Sequence, residues 1–160
     1  MMNNFSKEFL DCKESAFYYI NKKRYTKKEL VGKLIKKEYE YSLALEVADY
    51  LEEAGYIDDF DYARRYINDA VKIKKHGLVR IRRDLMLKGI NQIVIDDVIN
   101  TFEPDTVSVL KNLVESKAVN VNFDDEKQVN KLYGFLLRRG FKFSEIKDAF
   151  TEYRNKKENI

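Results

Sequence analysis

LMLKGI, residues 85–90, decides the fold because it occurs in three forms. LIKKEY stands at 34–39 and LLRRGF at 136–141. Their first residues, Leu34, Leu85 and Leu136, lie 51 positions apart at both steps. The apolar positions that follow keep the register: Val47, Val98 and Ala149, then Leu51, Phe102 and Tyr153. Upstream, Ile20, Ile67 and Val114 repeat on a shorter step of 47. A loop that lengthens by four residues per copy absorbs the difference, and loop length is an inexpensive change. Self-similarity at this period, with apolar residues at helical spacing, predicts tandem helical units.

Each unit reads as three helices. In the first, Phe9, Ala16, Phe17 and Ile20 mark one apolar stripe. Thr26 with Glu29 forms a capping box ahead of a second, carried by Leu30, Leu34 and Ile35. Ser42 is the expected N-cap of a third, with Leu43, Val47 and Leu51 inward and Ala44 and Ala48 beside them. Gly55 closes it, as a C′ glycine does. The middle unit is expected to hold helices over 61–74, 78–88 and 92–102. Its core is Ala63, Tyr66, Ile67, Ala70, Leu78, Ile81, Leu85, Ile95, Val98, Ile99 and Phe102. The last unit places helices at 106–117, 126–139 and 145–153, the third behind Ser144. Pro104 separates it from the middle unit, 120–125 is a polar link, and 153–160 reads as a frayed tail. Glu38 stands where the other copies have Gly89 and Gly140, so the first copy is expected to end its second helix differently.

The expected fold is therefore all-α. Three tandem three-helix repeat units, 1–55, 56–104 and 105–160, stack into an elongated, curved right-handed helical array with one shared core.

Composition agrees. In 160 residues, charged side chains make up 36% and apolar ones 44%, with one Pro and six Gly, which suits long amphipathic helices. Net charge is only +3, but it is segregated. Residues 1–37 hold ten Lys/Arg against four Asp/Glu, residues 38–61 nine Asp/Glu and no base, and residues 62–90 nine Lys/Arg against two Asp. Blocks of this kind set local fields that the total conceals. The one cysteine, Cys12, forms no intramolecular disulfide and fits a reducing compartment. With no signal-like or membrane-length apolar run, a cytoplasmic protein is expected.

No catalytic constellation is apparent. His76, the only histidine, reads as a solvated loop residue, and Cys12 as a small core residue. Asp58, Asp59 and Asp61 lack the spacing of a calcium loop and read as carboxylates favouring the start of the following helix. No metal or cofactor is expected. The basic features carry more. With Ile81 and Leu85 turned inward, Arg80, Arg82 and Arg83 point outward or to the flanks, near Lys72, Lys74, Lys75 and Lys88, and Arg64 and Arg65 add charge on the preceding helix. Arginine in such numbers suits phosphate and carboxylate recognition. Tyr62 and Tyr66 interleave with these residues and could stack, although Tyr66 fits the core better.

The middle unit resembles the RecX family, modulators of the RecA recombinase. The resemblance rests on a G-Y-[IL]-[DN]-D turn, matched by Gly55 to Asp59 with Asp58 and Asp59 in place. Tyr62-Ala63 follows, then G-x-x-R-I-x-x-[ED]-L-x-x-K-G-[IV], matched by Gly77, Arg80-Ile81, Asp84-Leu85 and Lys88-Gly89-Ile90. It is strong over 44–102 and weaker elsewhere. Glu38 and the highly basic first unit depart from it. The resemblance implies a non-enzymatic, monomeric regulator that binds the RecA–single-stranded DNA filament. It further implies opposition to filament extension, ATP hydrolysis, strand exchange and cleavage of the SOS repressor, with direct contact to single-stranded and possibly duplex DNA. From the residues alone, an independent DNA-binding module and a structural adaptor stay open.

Overall fold

A computed structural model describes residues 4–160; the first three residues of the expected 1–55 unit lie outside the described residues. Nine α-helices follow one another, and there is no strand among the described residues. They are α1 (Lys7–Ile20), α2 (Lys27–Lys36), α3 (Tyr41–Glu53), α4 (Asp59–Lys72), α5 (Leu78–Leu87), α6 (Gln92–Phe102), α7 (Thr106–Ala118), α8 (Glu126–Arg138) and α9 (Phe143–Glu158). This is the all-α helical repeat expected from the spacing.

The chain forms two compact units. The first comprises Met1–Ala63 and Leu85–Val98, the second Arg64–Asp84 and Ile99–Ile160. The division thus passes through α4, α5 and α6. In the first unit, one face of α1 (Phe9, Cys12, Ala16) packs with Leu30, Val31 and Leu34 of α2 and Ala44, Val47, Ala48 and Leu51 of α3. Burial pushes the Cys12 thiol up to about 11, so it stays a neutral packing group. In the second unit, Leu110, Val114 and Ala118 of α7 meet Leu132 and Leu136 of α8 and Ile146, Ala149 and Phe150 of α9.

The repeat is visible in the buried atoms. Leu34, Leu85 and Leu136 are each 0% exposed, and the helix carrying each ends in the same way. Tyr39, Ile90 and Phe141 return their N–H to the carbonyls of Leu34, Leu85 and Leu136 at 3.3, 3.1 and 3.3 Å. Glu38, Gly89 and Gly140 bond to Ile35, Met86 and Leu137 at 2.9 Å. All three turn residues are left-handed, with φ of 69°, 83° and 95°. The expectation that Glu38 would end its helix differently is therefore wrong. The paired hydrogen bonds satisfy carbonyls left over by the helix, and Glu38 accepts the conformation that glycine adopts without strain.

Other expectations are corrected as well. Ser42 does not cap α3; the helix starts two residues earlier than that cap implies, at Tyr41 after Glu40, which makes no side-chain cap bond. Ile35 is 43% and Phe102 50% exposed, so neither belongs to the core. The 61–74 helix is shifted to Asp59–Lys72 because Asp58 accepts from the Asp61 N–H at 3.0 Å and starts it earlier. Residues 154–158 are not frayed but continue α9. Lys156 and Lys157 there suit the negative end of the helix, and Lys156 reaches Glu115 of α7 at 3.2 Å. Ser144 lies inside α9; the Lys142 N–H ahead of the helix donates to Glu145 at 2.7 Å.

Candidate functional site

The central motif builds helix junctions. In the first unit, the start of α2 meets the end of α5. Buried Thr26 accepts from the Glu29 N–H at 3.1 Å and donates its hydroxyl proton to the Lys88 carbonyl at 2.6 Å. Glu29 completes the box by accepting from the Thr26 N–H at 3.1 Å, and takes the Lys88 ammonium at 3.1 Å. Burial works against the charge of Lys88, but its bonds to Glu29 and Tyr62 outweigh that and raise its pKa. Asp59 is used here too: its carboxylate accepts from the Lys27 N–H at 2.9 Å. It serves the first N–H of α2, a helix 32 residues upstream, and its partial burial raises its pKa.

In the second unit, the start of α5 meets the end of α8 through backbone. The N–H groups of Gly77 and Val79 donate to the carbonyls of Arg139 and Gly140 at 2.8 and 3.1 Å. Orphan donors of one helix thereby meet orphan acceptors of another. Gly77 occupies the place of Thr26, 51 residues on, and its missing side chain permits the approach. The Arg80 guanidinium lies 3.4 Å from the Arg138 carbonyl and 3.7 Å from Asp84. Arg139 donates to the Lys74 carbonyl at 2.6 Å and covers the Phe135 ring at 5.1 Å. Arg139 was not singled out from sequence; its place 51 residues after Lys88 was the available signal.

The basic residues singled out from sequence thus divide by role. Lys88 belongs to the first unit and is tied into its junction. The others lie in the second unit. Arg80 is half-exposed and joined to α8. Arg64 is half-buried with its guanidinium 5.8 Å from the Phe102 ring, which explains why that ring stays outside. Lys74 covers Tyr66 at 5.5 Å, and the Tyr66 hydroxyl donates to Asp84 at 3.1 Å. Lys75 has φ of 57° and donates to the Lys72 carbonyl at 2.6 Å. Arg82 is half-exposed, while Arg65, Lys72, Lys74, Lys75 and Arg83 are exposed. Arg83 has only a long approach to its neighbour Asp84, at 3.9 Å.

His76 is not solvated. It is 8% exposed, with Nδ1 buried and unpartnered, and burial followed by the charges of Arg80 and Arg139 lowers its pKa. Among the described residues, no group of three His, Cys, Asp or Glu could hold a metal ion, and no helix is long and apolar enough to cross a membrane. The three carboxylates ahead of α4 are all engaged: Asp58 caps α4, Asp59 serves α2, and Asp61 pairs with Arg24 at 3.1 Å.

Fold and surface define a class of protein: an all-α helical repeat in which helix ends meet through hydrogen bonds and exposed faces carry charge. Known proteins fit that description. The family model described as the second three-helix domain of RecX matches residues 58–99, and that of the third matches 103–150. The regulatory protein RecX of Clostridium botulinum (strain Alaska E43 / Type E3) is 32% identical over 150 residues, covering 91% of this chain and 70% of that one. The RecX of Vibrio vulnificus (strain CMCP6) is 29% identical over 152 residues, covering 95% and 99%. The crystal structure of RecX from Lactobacillus salivarius shares the fold, with a TM-score of 0.81 at 22% identity over 92% of this chain and 97% of that one. The chain belongs to the RecX family of regulatory proteins.

Proposed function

We propose that this protein binds the filament formed by the RecA recombinase on single-stranded DNA and restrains it. It limits filament extension, ATP hydrolysis, strand exchange and cleavage of the SOS repressor, working as a monomeric, non-enzymatic regulator in the cytoplasm. The observation that carries this reading is the motif from Gly77 to Ile90. It lies within the match to the second RecX domain, and its two ends are pinned by junctions that hold α5 in place. A helix fixed in this way presents Arg83, with Arg65 and Lys72 exposed on α4, at little entropic cost on binding. Guanidinium groups suit both the carboxylates of a protein surface and the phosphates of DNA.

The direct test is a titration of the DNA-dependent ATPase of the cognate RecA. Hydrolysis should fall at substoichiometric amounts; an unchanged rate across the titration rejects the reading. Arg83→Glu combined with Lys72→Glu, both exposed, should weaken inhibition sharply while leaving the thermal melt in place. Arg80→Glu is a poorer probe, because it also breaks the contact to the Arg138 carbonyl. Tight binding to bare duplex with no effect on RecA would instead support an independent DNA-binding module.

A further inference from the structure

A second basic surface stands in the first unit, outside the residues matched by the family models. It is built from YYINKKRY, residues 18–25, and the outer face of α2. The Lys22 ammonium lies 4.0 Å from the centre of the Tyr18 ring, and Lys37 5.3 Å from Tyr18 and 5.6 Å from Tyr19. Lys33 reaches Tyr19 at 5.9 Å and Lys23 covers Tyr25 at 4.7 Å. The rings meet edge to face, Tyr18 with Tyr19 at 5.6 Å and Tyr19 with Tyr25 at 6.1 Å.

The charge here is only partly compensated. Residues 18–37 hold eight Lys/Arg and one carboxylate, Glu29. Arg24 and Lys27 are paired, with Asp61 and with Asp49 and Glu52 respectively. Lys22, Lys23, Lys33 and Lys37 have no ion pair among the described residues. Their mutual repulsion is only partly relieved by the ring faces. The Tyr18 hydroxyl is bonded to Lys22, and that bond and the Lys22 charge lower its pKa, as a concentrated positive field does. Tyr18 nevertheless keeps half its surface in solvent, at 52%.

The occupant must use both chemistries. A solvated lysine face has no use for tyrosines, and an acidic protein surface would engage the ammonium groups and leave the rings idle. Duplex DNA hides its base faces. A single strand offers both: phosphates for the lysines and flat bases for the rings. Beside the cluster, a groove of about 460 Å³ is lined by Lys22, Lys23, Tyr25, Tyr56 and Tyr62 together with Asp58 and the Arg24–Asp61 pair, so phosphates are expected on the outer face of the cluster and not within the groove.

We propose that this lysine–tyrosine surface of the first unit is a binding site for single-stranded nucleic acid, with phosphates on Lys22, Lys23, Lys33 and Lys37 and bases against Tyr18 and Tyr25. It stands independently of filament binding, and its test contains no recombinase, so either reading can fail alone.

The test is fluorescence anisotropy of the full chain with a labelled oligothymidylate, and with a duplex of equal length, over a range of salt. The single strand should bind more tightly. Log affinity should fall against log salt with a slope of about −3, since each of four neutralised phosphates contributes about −0.7. Tyr18→Ala should weaken binding about tenfold with the slope unchanged. Lys22→Gln with Lys37→Gln should make the slope shallower by about 1.4. All three side chains are exposed, and circular dichroism melts confirm that the variants fold. Lys131→Gln, exposed on α8 in the second unit, should leave oligothymidylate binding unchanged. Equal affinity for duplex and single strand overturns the proposal. So does a Tyr18→Ala variant that binds as the parent does, which would make the surface a general polyanion or acidic-protein site.

Discussion

Replacing Gly77 with alanine adds one methyl group at the start of α5, where the second-unit junction has no room. An added Cβ would stand 2.3 Å from the Gly140 carbonyl oxygen, 2.5 Å from its carbon and 2.6 Å from the Phe141 nitrogen. All three are backbone atoms at a hydrogen-bonded helix end, so no side chain can rotate away. Restoring ordinary contact requires the two helix ends to part by about 1 Å. The bonds from Gly77 to Arg139 at 2.8 Å and from Val79 to Gly140 at 3.1 Å then exceed hydrogen-bonding length. Overpacking alone costs about 1–3 kcal/mol, and each buried group stranded without a partner about 1–3 kcal/mol. Partial relaxation shares these losses, so about 3 kcal/mol is expected. Gly32→Ala is the control. It lies inside α2 with nothing within 4 Å of an added Cβ, so the better helix propensity of alanine should stabilise by about 1 kcal/mol. Urea unfolding followed by far-UV circular dichroism measures both, with the slope checked for constancy. A Gly77→Ala variant within about 0.5 kcal/mol of the parent, the spread expected for a substitution that touches nothing important, would refute a junction this tight.

Leu85→Ala should cost about 2–5 kcal/mol in the same assay, because Leu85 is fully buried and its removal leaves a cavity; a loss under about 1 kcal/mol would place it outside the core. Thr26→Val removes the cap of α2 and strands the Lys88 carbonyl together, so a loss of about 2 kcal/mol is expected, and an unchanged urea midpoint would contradict the double role. Glu38→Gly relieves a left-handed side chain at φ 69° and should stabilise by about 1 kcal/mol; destabilisation would mean that the carboxylate has an unrecognised task. His76 is held below its ordinary value of 6.5 by burial, Arg80 and Arg139, so the unfolded chain takes up a proton that the folded chain resists. Its contribution to stability is complete above 6.5 and is lost as pH falls through that value toward the depressed folded pKa. Since it is the only histidine, His76→Gln should flatten the fall in urea midpoint across this window, and a fall of equal size in the variant would reject the assignment.

Much of the fold could be read in advance because apolar spacing is a local signal. Leu34, Leu85 and Leu136 were aligned from their neighbours alone, and all three are buried. Errors arose where a residue answers to something distant. Phe102 shares a register with Leu51, yet its ring is taken by Arg64 rather than by a core. Asp59 looks like part of the α4 cap, but its partner is the Lys27 N–H, a tertiary contact that no window around Asp59 contains. His76 sits in a polar loop, yet it is buried and close to the charges of Arg80 and of Arg139 just beyond α8. The site is legible to a lesser degree. The abundance of arginine in α5 was plain, whereas the division between Arg80, spent on a junction, and Arg83, left to solvent, required coordinates. The run YYINKKRY was equally plain as composition; which ammonium lies over which ring depends on how α1 and α2 pack.

A tandem repeat is its own alignment, and here three copies of one helix end record what keeps a glycine in place. Gly89 and Gly140 each face a neighbour: an added Cβ would lie 2.2 Å from Lys28 in one case and 2.4 Å from Arg80 in the other. Glu38 makes the same turn in solvent. Duplication would have handed the turn to every copy, but only copies with a helix pressed against them are held to the smallest residue. Once that pressure is absent, the remaining conformational strain is mild enough for drift to introduce a side chain. In arrays of this kind, a non-glycine residue at this turn would mark a copy whose helix end no other helix presses.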